Sequence, residues 1–454
     1  MTELFWVVWA IVLGVTLSFS LGGFAALRPR WGGILVASGA GAAGGIGLSA
    51  LFYFIGVLRG SATLAIAMEM TAIFGGAFLA WKRRWPRTAE VSESRGLKLT
   101  FAAAVALLLV IVTLAFAAAW QSNPQGNWDA WAIWNMRARY LAAGDGFAAR
   151  AWSPVLGAAS HPEYPLLLSS FIASCWAFSH SVSELAPIAT GYAFFLALIA
   201  MVTGGVAALR GPIMGLAAGL VLLASPALLR EAPAQYADVP LACYMAGAVL
   251  LAMLDRPVFA GILAGFAAWT KDEGLLFLAI FLVVSAVIKR RAAILALAGA
   301  LPVALVAVAF KLSLPKLATS FTGVNGGGLA SRAADFSRVG IILAAFGREI
   351  AAMSTSWYHP VLPLIALGVA CGLERERLRA AVYSGSVALL LLLGYFGAFL
   401  VTGYDLKWQL DTALGRLLVQ VWPLIVITAV AAMRAPKLAA APAPKAQKKI
   451  SGRR

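Results

Sequence analysis

Charge is the first thing this sequence lacks. Only 12% of its 454 residues are Asp, Glu, Lys or Arg, and 61% are hydrophobic. A soluble domain carries roughly a quarter charged residues. A chain this apolar cannot cover itself with polar surface, which excludes a water-soluble globule and makes lipid its solvent. Cysteine is also scarce. Cys175, Cys243 and Cys371 sit in apolar segments without CxxC spacing, which excludes a disulfide framework or zinc site and leaves small buried hydrophobes. The N-terminus has neither a basic stretch nor an A-x-A cleavage motif, so residues 4–26 read as a retained first helix, not a signal peptide. Gly326-Gly327-Gly328 follows no strand and reads as a flexible loop, not a phosphate cradle. Asp145, between two glycines, reads as a turn. No internal repeat is evident, which disfavours inverted-repeat transporter folds.

What is present is apolar and recurrent. A crossing helix needs roughly 20 apolar residues, and candidate spans fall at 4–26, 33–58, 62–81, 98–119, 164–179, 185–208, 212–229, 239–254, 257–270, 274–288, 292–312, 360–373, 380–402 and 414–433. The expected fold is an all-α polytopic transmembrane bundle of about 12–14 spans, and 341–353 reads as a surface-lying helix. Abundant Ala and Gly suit close helix packing in a bilayer. The net charge of +17 would suggest nucleic acid in a soluble chain, but its placement excludes that. Lys82, Arg83, Arg84, Arg87, Arg95 and Lys98 share one loop. Others cluster at Lys289, Arg290 and Arg291, at Arg375, Arg377 and Arg379, and in the Pro/Ala/Lys-rich tail 434–454, which reads as disordered and cytoplasmic. Basic residues in short loops beside spans orient a membrane protein. They set 82–97 and the tail inside, and 120–163, 230–238, 313–340 and 403–413 outside. One conflict remains: spans at both 164–179 and 185–208 would return the chain to the wrong side for Arg210, so either 164–179 does not cross or a boundary shifts.

The outer loops hold the polar chemistry. In 120–163 the string Asn127-Trp128-Asp129-Ala130-Trp131-Ala132-Ile133-Trp134-Asn135 is followed by Arg137, Arg139 and Tyr140. A spacing of three puts Trp128, Trp131 and Trp134 on one helical face. Asp129 among these rings suits a general base; an aromatic belt with a capping Asp is the bland alternative. His161-Pro162-Glu163-Tyr164-Pro165 closes the loop, with His161 and Glu163 as cavity-mouth groups or solvated ones. Tyr236-Ala237-Asp238 precedes a span, where Asp238 is either an N-cap or a second acid facing Asp129. Lys271-Asp272-Glu273 interrupts two short apolar segments, a plain loop or a site near the membrane surface. Arg416 lies about one turn inside an apolar helix, where it either meets an anion such as phosphate or snorkels. Trp357-Tyr358-His359-Pro360 reads as sugar-stacking or interfacial aromatics, and Tyr404-Asp405-Leu406-Lys407-Trp408 precedes the last span.

In order and spacing these strings resemble the GT-C superfamily of membrane glycosyltransferases, which includes protein O-mannosyltransferases and the lipid A aminoarabinose transferase. The matching pieces are Asp129, His161-Pro162-Glu163-Tyr164-Pro165-Leu166, Asp238, Thr270-Lys271 and Arg416, across about 98–433. The chain also resembles a set of bacterial proteins carrying W-D-A-W-x-x-W and Y-A-D-V-P-L strings. The resemblance implies a GT-C-like catalytic module over 98–433 with outer loop 120–163, additional N-terminal transmembrane helices over 1–97, and an inner-membrane enzyme with a periplasmic site. It implies transfer of a sugar from a polyprenyl-phosphate donor to a lipid, glycan or protein acceptor, with inversion. Asp129 and Asp238 would be catalytic. Trp128, Trp131, Arg137, His161, Glu163, Tyr236, Lys271, Asp272, Glu273 and Arg416 would bind substrate, with a divalent cation as an optional cofactor. The alternatives are a transporter or flippase of lipid-linked glycans, or a glycan polymerase or ligase. The chain departs from the family in three ways. Its loop follows the fourth span, carries Trp-Asp in place of Asp-Glu or Asp-x-Asp, and no large soluble C-terminal domain follows, which leaves acceptor and metal open.

Overall fold

The computed structural model describes residues 2–82, 95–144, 146–314, 328–353 and 358–435. Asp145, Gly326, Gly327, Trp357, most of the basic loop 82–97 and nearly all of the tail 434–454 lie outside them. The described chain consists of helices and the turns between them, with one isolated bridge between Leu373 and Met433. The helices are α1 (Thr2–Leu21), α2 (Arg30–Leu58), α3 (Ala62–Lys82), α4 (Arg95–Ser122), α5 (Asn135–Ala143), α6 (Leu167–Ser179), α7 (Leu185–Arg210), α8 (Pro212–Leu223), α9 (Pro226–Glu231), α10 (Asp238–Met253), α11 (Pro257–Thr270), α12 (Asp272–Ser313), α13 (Leu329–Ala333), α14 (Ser337–Ala352), α15 (Val361–Cys371), α16 (Arg375–Val401) and α17 (Leu406–Ala432).

Eight of these are long and apolar enough to cross a membrane, or nine if the bent pair α8–α9 forms one span. Fewer than the expected 12–14 meet that standard, which leaves out shorter crossings and takes α12 as one. The difference lies in apolar helices of 10–17 residues, α6, α10, α11 and α15, and in α12, which holds the two expected spans 274–288 and 292–312 on either side of a break. At Lys289 the α12 backbone leaves helical geometry (φ −153, ψ 83). A straight helix would hold Asp272 and Lys311 about 60 Å apart, yet their side chains pair at 2.5 Å. The stretch therefore folds back on itself at Lys289.

The bundle has two chemically distinct ends. At the basic end Arg210 pairs with Glu374 at 3.3 Å, Arg256 donates to the Gly22 carbonyl at 2.9 Å, and Lys289 meets Asp255 at 2.6 Å. The opposite end, here the site end, gathers Asp129, Asp238, Lys271 and Arg416. The short α10 and α11 still connect the ends, running from Asp238 to the Asp255–Arg256 turn and back to Lys271. α6 resolves the conflict at 164–179. Ser169 near its start donates to the Trp134 carbonyl at 2.9 Å, and Trp176 near its end lies under the Arg139 guanidinium at 5.6 Å. Both ends rest on the segment around α5, so α6 stays at the site end and does not cross. α14 is surface-lying as expected, with Ile341, Leu343 and Ile350 exposed and Ile342 and Ala345 buried.

Small residues bring the helices together, as lipid offers no hydrophobic drive for association. Gly14, Gly41 and Gly45 let α1 and α2 touch backbone to backbone, and Gly261 lies against the Ala296 carbonyl. A Cβ at Gly45 would collide with the Ala10 carbonyl, which cannot move aside. Gly45→Val is expected to lower the melting temperature in micelles sharply, whereas Gly75→Val, with nothing near its Cβ, is expected to leave it unchanged.

Candidate functional site

The site is built by tying two loops together. After α4 the chain turns through residues 123–128, and Asn127 N–H donates to the Ala234 carbonyl at 3.2 Å. The Gln235 amide reaches back to the Pro124 carbonyl at 3.0 Å, and the Asn135 amide donates to Gln235 Oε1 at 3.2 Å. Gly126 is required here. Its φ is +74, and a Cβ would sit 2.8 Å from the Ala234 carbonyl oxygen. These ties set Asp129 beside Tyr236 and Asp238.

Arg416 joins the two acids. Its Nη1 donates to Asp129 Oδ2, and its Nε stands 4.0 Å from Asp238 Oδ2. The guanidinium carbon lies 5.0 Å from the centre of the Tyr236 ring. Asp238 is 2% exposed and receives Lys271 Nζ at 2.9 Å; Lys271, 3% exposed, also meets Glu273 at 3.0 Å. Burial alone would lower the Lys271 pKa, but Asp238 and Glu273 overcome it and hold the ammonium at about 12. Asp129, Asp238, Tyr236, Lys271, Glu273 and Arg416 therefore form one connected cluster drawn from four separate stretches of chain.

A second group flanks the first. Asp272 pairs with Lys311, and His161 Nδ1 bonds Glu163 at 2.9 Å. Burial would raise Glu163, but the His161 hydrogen bond and charge bring it below the usual carboxylate range. The His161 ring stacks on Tyr164 at 4.3 Å. Tyr164 feels the charges of Glu273, Asp272, Glu163 and Arg416, which makes the two groups electrostatically contiguous.

Three expected roles are corrected. First, the tryptophans do not share a face. Ala130–Trp134 is π-helical, and its i→i+5 bonding turns fewer degrees per residue, so a spacing of three no longer repeats a direction. Trp128 and Trp131 are 57% and 44% exposed and meet edge to face at 4.6 Å, while Trp134 is fully buried and stacks on Tyr164. Second, Arg137 does not face the cluster. It is fully buried and donates to the carbonyls of Ala151, His161, Pro162 and Tyr164 at 2.7–3.3 Å. It pins the loop. Arg137→Ala is expected to cost more than about 3 kcal/mol by orphaning those carbonyls, read as faster proteolysis between 146 and 160 and a lower melting temperature. Third, Lys271 is enclosed between two carboxylates and positions them; it has no free approach to a phosphate.

Sequence reading missed several members. Gln420 donates to Asp238 Oδ1 at 2.5 Å and accepts from the Tyr395 hydroxyl at 2.8 Å. Its signal was present: Gln420 is four residues after Arg416 in an otherwise apolar helix, hence on the same face. Lys311 lies at the end of the expected span 292–312, and the reversal at Lys289 brings it back to Asp272. Glu231 stands in the field of Asp238, Arg416, Arg230 and Lys271. Its Oε2 is buried without a hydrogen-bond partner, and among the described residues no cation pairs with it.

For a divalent cation the fit is poor. Asp238 and Glu273 already face Lys271, and no three His, Cys, Asp or Glu groups converge as a metal would need among the described residues. No step is routed through a metal below. Comparison with known proteins yields no relative: no family model, no curated protein and no solved structure matches this multi-span helical membrane protein.

Proposed function

We propose that this protein is a membrane-embedded glycosyltransferase that moves a sugar from a polyprenyl-phosphate donor to a hydroxyl-bearing acceptor at the site end. The observation that carries the reading is Arg416 held between Asp129 and Asp238 at the end of the bundle. This sets an anion-binding guanidinium beside a carboxylate that can take a proton. A donor whose lipid stays in the bilayer explains why such a site is embedded. The basic residues at the opposite end orient the site outward, to the periplasmic face of an inner membrane.

The chemistry follows from the pairings. The acceptor oxygen attacks the anomeric carbon from the face opposite the phosphate, which inverts the configuration. As that bond forms, the acceptor proton passes to Asp129 Oδ1, the oxygen not bonded to Arg416. The carbon–oxygen bond to phosphate breaks, and its electron pair leaves with polyprenyl phosphate. Sugar transfer of this kind passes through an oxocarbenium-like state, so charge grows on the leaving oxygen. Arg416 offsets it. Asp129 occupies one of its five N–H groups, and the buried Nε has no hydrogen-bond partner. Lys271 and Gln420 keep Asp238 ionised and fixed, and Asp238 in turn aims Arg416. Glu231 offers carboxylate oxygens to sugar or acceptor hydroxyls. Trp128 and Trp131 form an exposed aromatic edge on which a sugar ring can stack.

A transporter of lipid-linked glycans is the second reading, and Glu69 favours it. This carboxyl is fully buried in α3 and accepts from Trp9 Nε1 at 2.8 Å and from Ser49. An ionisable group inside a span is costly and often functional. The test is turnover: purified protein in lipid, a panel of polyprenyl-phosphate sugars, and release of polyprenyl phosphate as the readout. Release supports transfer. Movement of labelled glycolipid across the bilayer without release replaces it with transport.

A further inference from the structure

At the basic end, far from the cluster above, a cavity of about 230 Å³ opens between α7, α10, α11, α12 and α16. Its wall is apolar over Leu209, Met253 and Ala292. Ser285 and Tyr383, also in the wall, bond each other at 2.7 Å. Pockets for compact ligands run roughly 300–1,000 Å³ and add convergent polar groups. This one is smaller, and its wall hydroxyls bond each other, which suits a hydrocarbon chain.

Lys289 lines the cavity, and two further cations follow it in the chain. The reversal of α12 at Lys289 exposes Lys289, Arg290 and Arg291 in succession. Asp255 neutralises Lys289. Arg290 and Arg291 stand between two wall residues, Lys289 and Ala292. No hydrogen bond or ion pair engages them among the described residues. The Lys and Arg pattern sets this end in the cytoplasmic leaflet, where anionic lipids concentrate.

We infer that this cavity binds an anionic phospholipid, with one acyl chain in the apolar pocket and its phosphate on Arg290 and Arg291. The occupant is set by complementarity: an apolar interior takes the chain, and two free guanidiniums at headgroup level take the phosphate in paired hydrogen bonds. The site is independent of the reaction at the other end.

The experiment is native mass spectrometry of the full chain in micelles, with added phosphatidylglycerol or phosphatidylcholine of matched chains. Wild type is expected to retain phosphatidylglycerol at least about tenfold better. R290Q/R291Q is expected to lose about 30-fold in affinity, roughly fivefold for each cation near the surface. A292F, which fills the pocket and keeps both cations, is expected to abolish retention. Glycerol phosphate, the headgroup without chains, is expected not to compete. Each variant is first checked for an unchanged melting curve, and Arg59→Gln, an exposed cation at the other end, serves as the control. Equal retention of the two lipids overturns the inference. So does A292F or R290Q/R291Q binding as wild type, and so does competition by glycerol phosphate.

Discussion

Asp129→Asn is expected to cut polyprenyl-phosphate release by about 10²–10⁴-fold, the range of a positioned proton acceptor, while leaving the fold intact. The substitution keeps the shape of the side chain and its hydrogen bond from Arg416. It removes the charge and the ability to hold a proton. Arg416→Ala is expected to fall by about 10²–10³-fold, the effect of one lost charge-stabilising group, and it also frees Asp129 from its position. Because one hydrogen bond links the two, the double variant is expected to fall less than the product of the singles. Additive losses would separate the residues into independent roles and remove the argument for a single site. Full activity of Asp129→Asn would dismiss Asp129 as the base. Glu231 would then be the candidate to test next, since its Oε2 is buried without a hydrogen-bond partner among the described residues.

How far a residue's role was legible depended on whether it was set locally or by long-range packing. The two-sided plan was visible because basic residues cannot hide in lipid: Arg210, Arg256 and Lys289 lie at one end, and Asp129, Asp238 and Arg416 at the other. Asp129, Asp238 and Arg416 could be chosen because a charge beside an apolar span has few bland explanations. Three features escaped. The direction of Trp134 depended on a π-helical turn, which no residue pattern announces. The role of Arg137 depended on four carbonyls of a loop whose path the sequence does not specify. The pairing of Lys311 depended on how closely the two expected spans 274–288 and 292–312 pack, which the Lys289-Arg290-Arg291 loop between them does not fix. The span at 164–179 was overread for a related reason. Apolar composition marks burial, and a helix such as α6 can be buried by protein at one end of the bundle as readily as by lipid across it.

Lys271→Met separates what holds the site together from what it does. Lys271 is 3% exposed and meets Asp238 at 2.9 Å and Glu273 at 3.0 Å. Methionine fills nearly the same space but leaves Asp238 with Gln420 and Arg416 as partners and takes from Glu273 the cation it meets. Removing one member of a buried ion pair costs about 3–5 kcal/mol, because the other charge stays desolvated. Arg416 at 4.0 Å from Asp238 offsets part of this, so the loss is expected near the lower end. It would appear as a lower melting temperature in micelles and loss of donor turnover together. The informative comparison adds Asp238→Leu to Lys271→Met. If the cost is desolvation, removing the acid as well restores much of the stability, since an apolar pair in such a place is often as stable as the ionic one. Turnover stays lost, because Arg416 no longer has Asp238 to aim it. If the double variant is instead less stable than Lys271→Met alone, Asp238 is held chiefly by Gln420 and Arg416, and Lys271 is no longer the centre of the cluster. The ionic core would then be kept for positioning at the expense of stability in the first case, and for stability itself in the second.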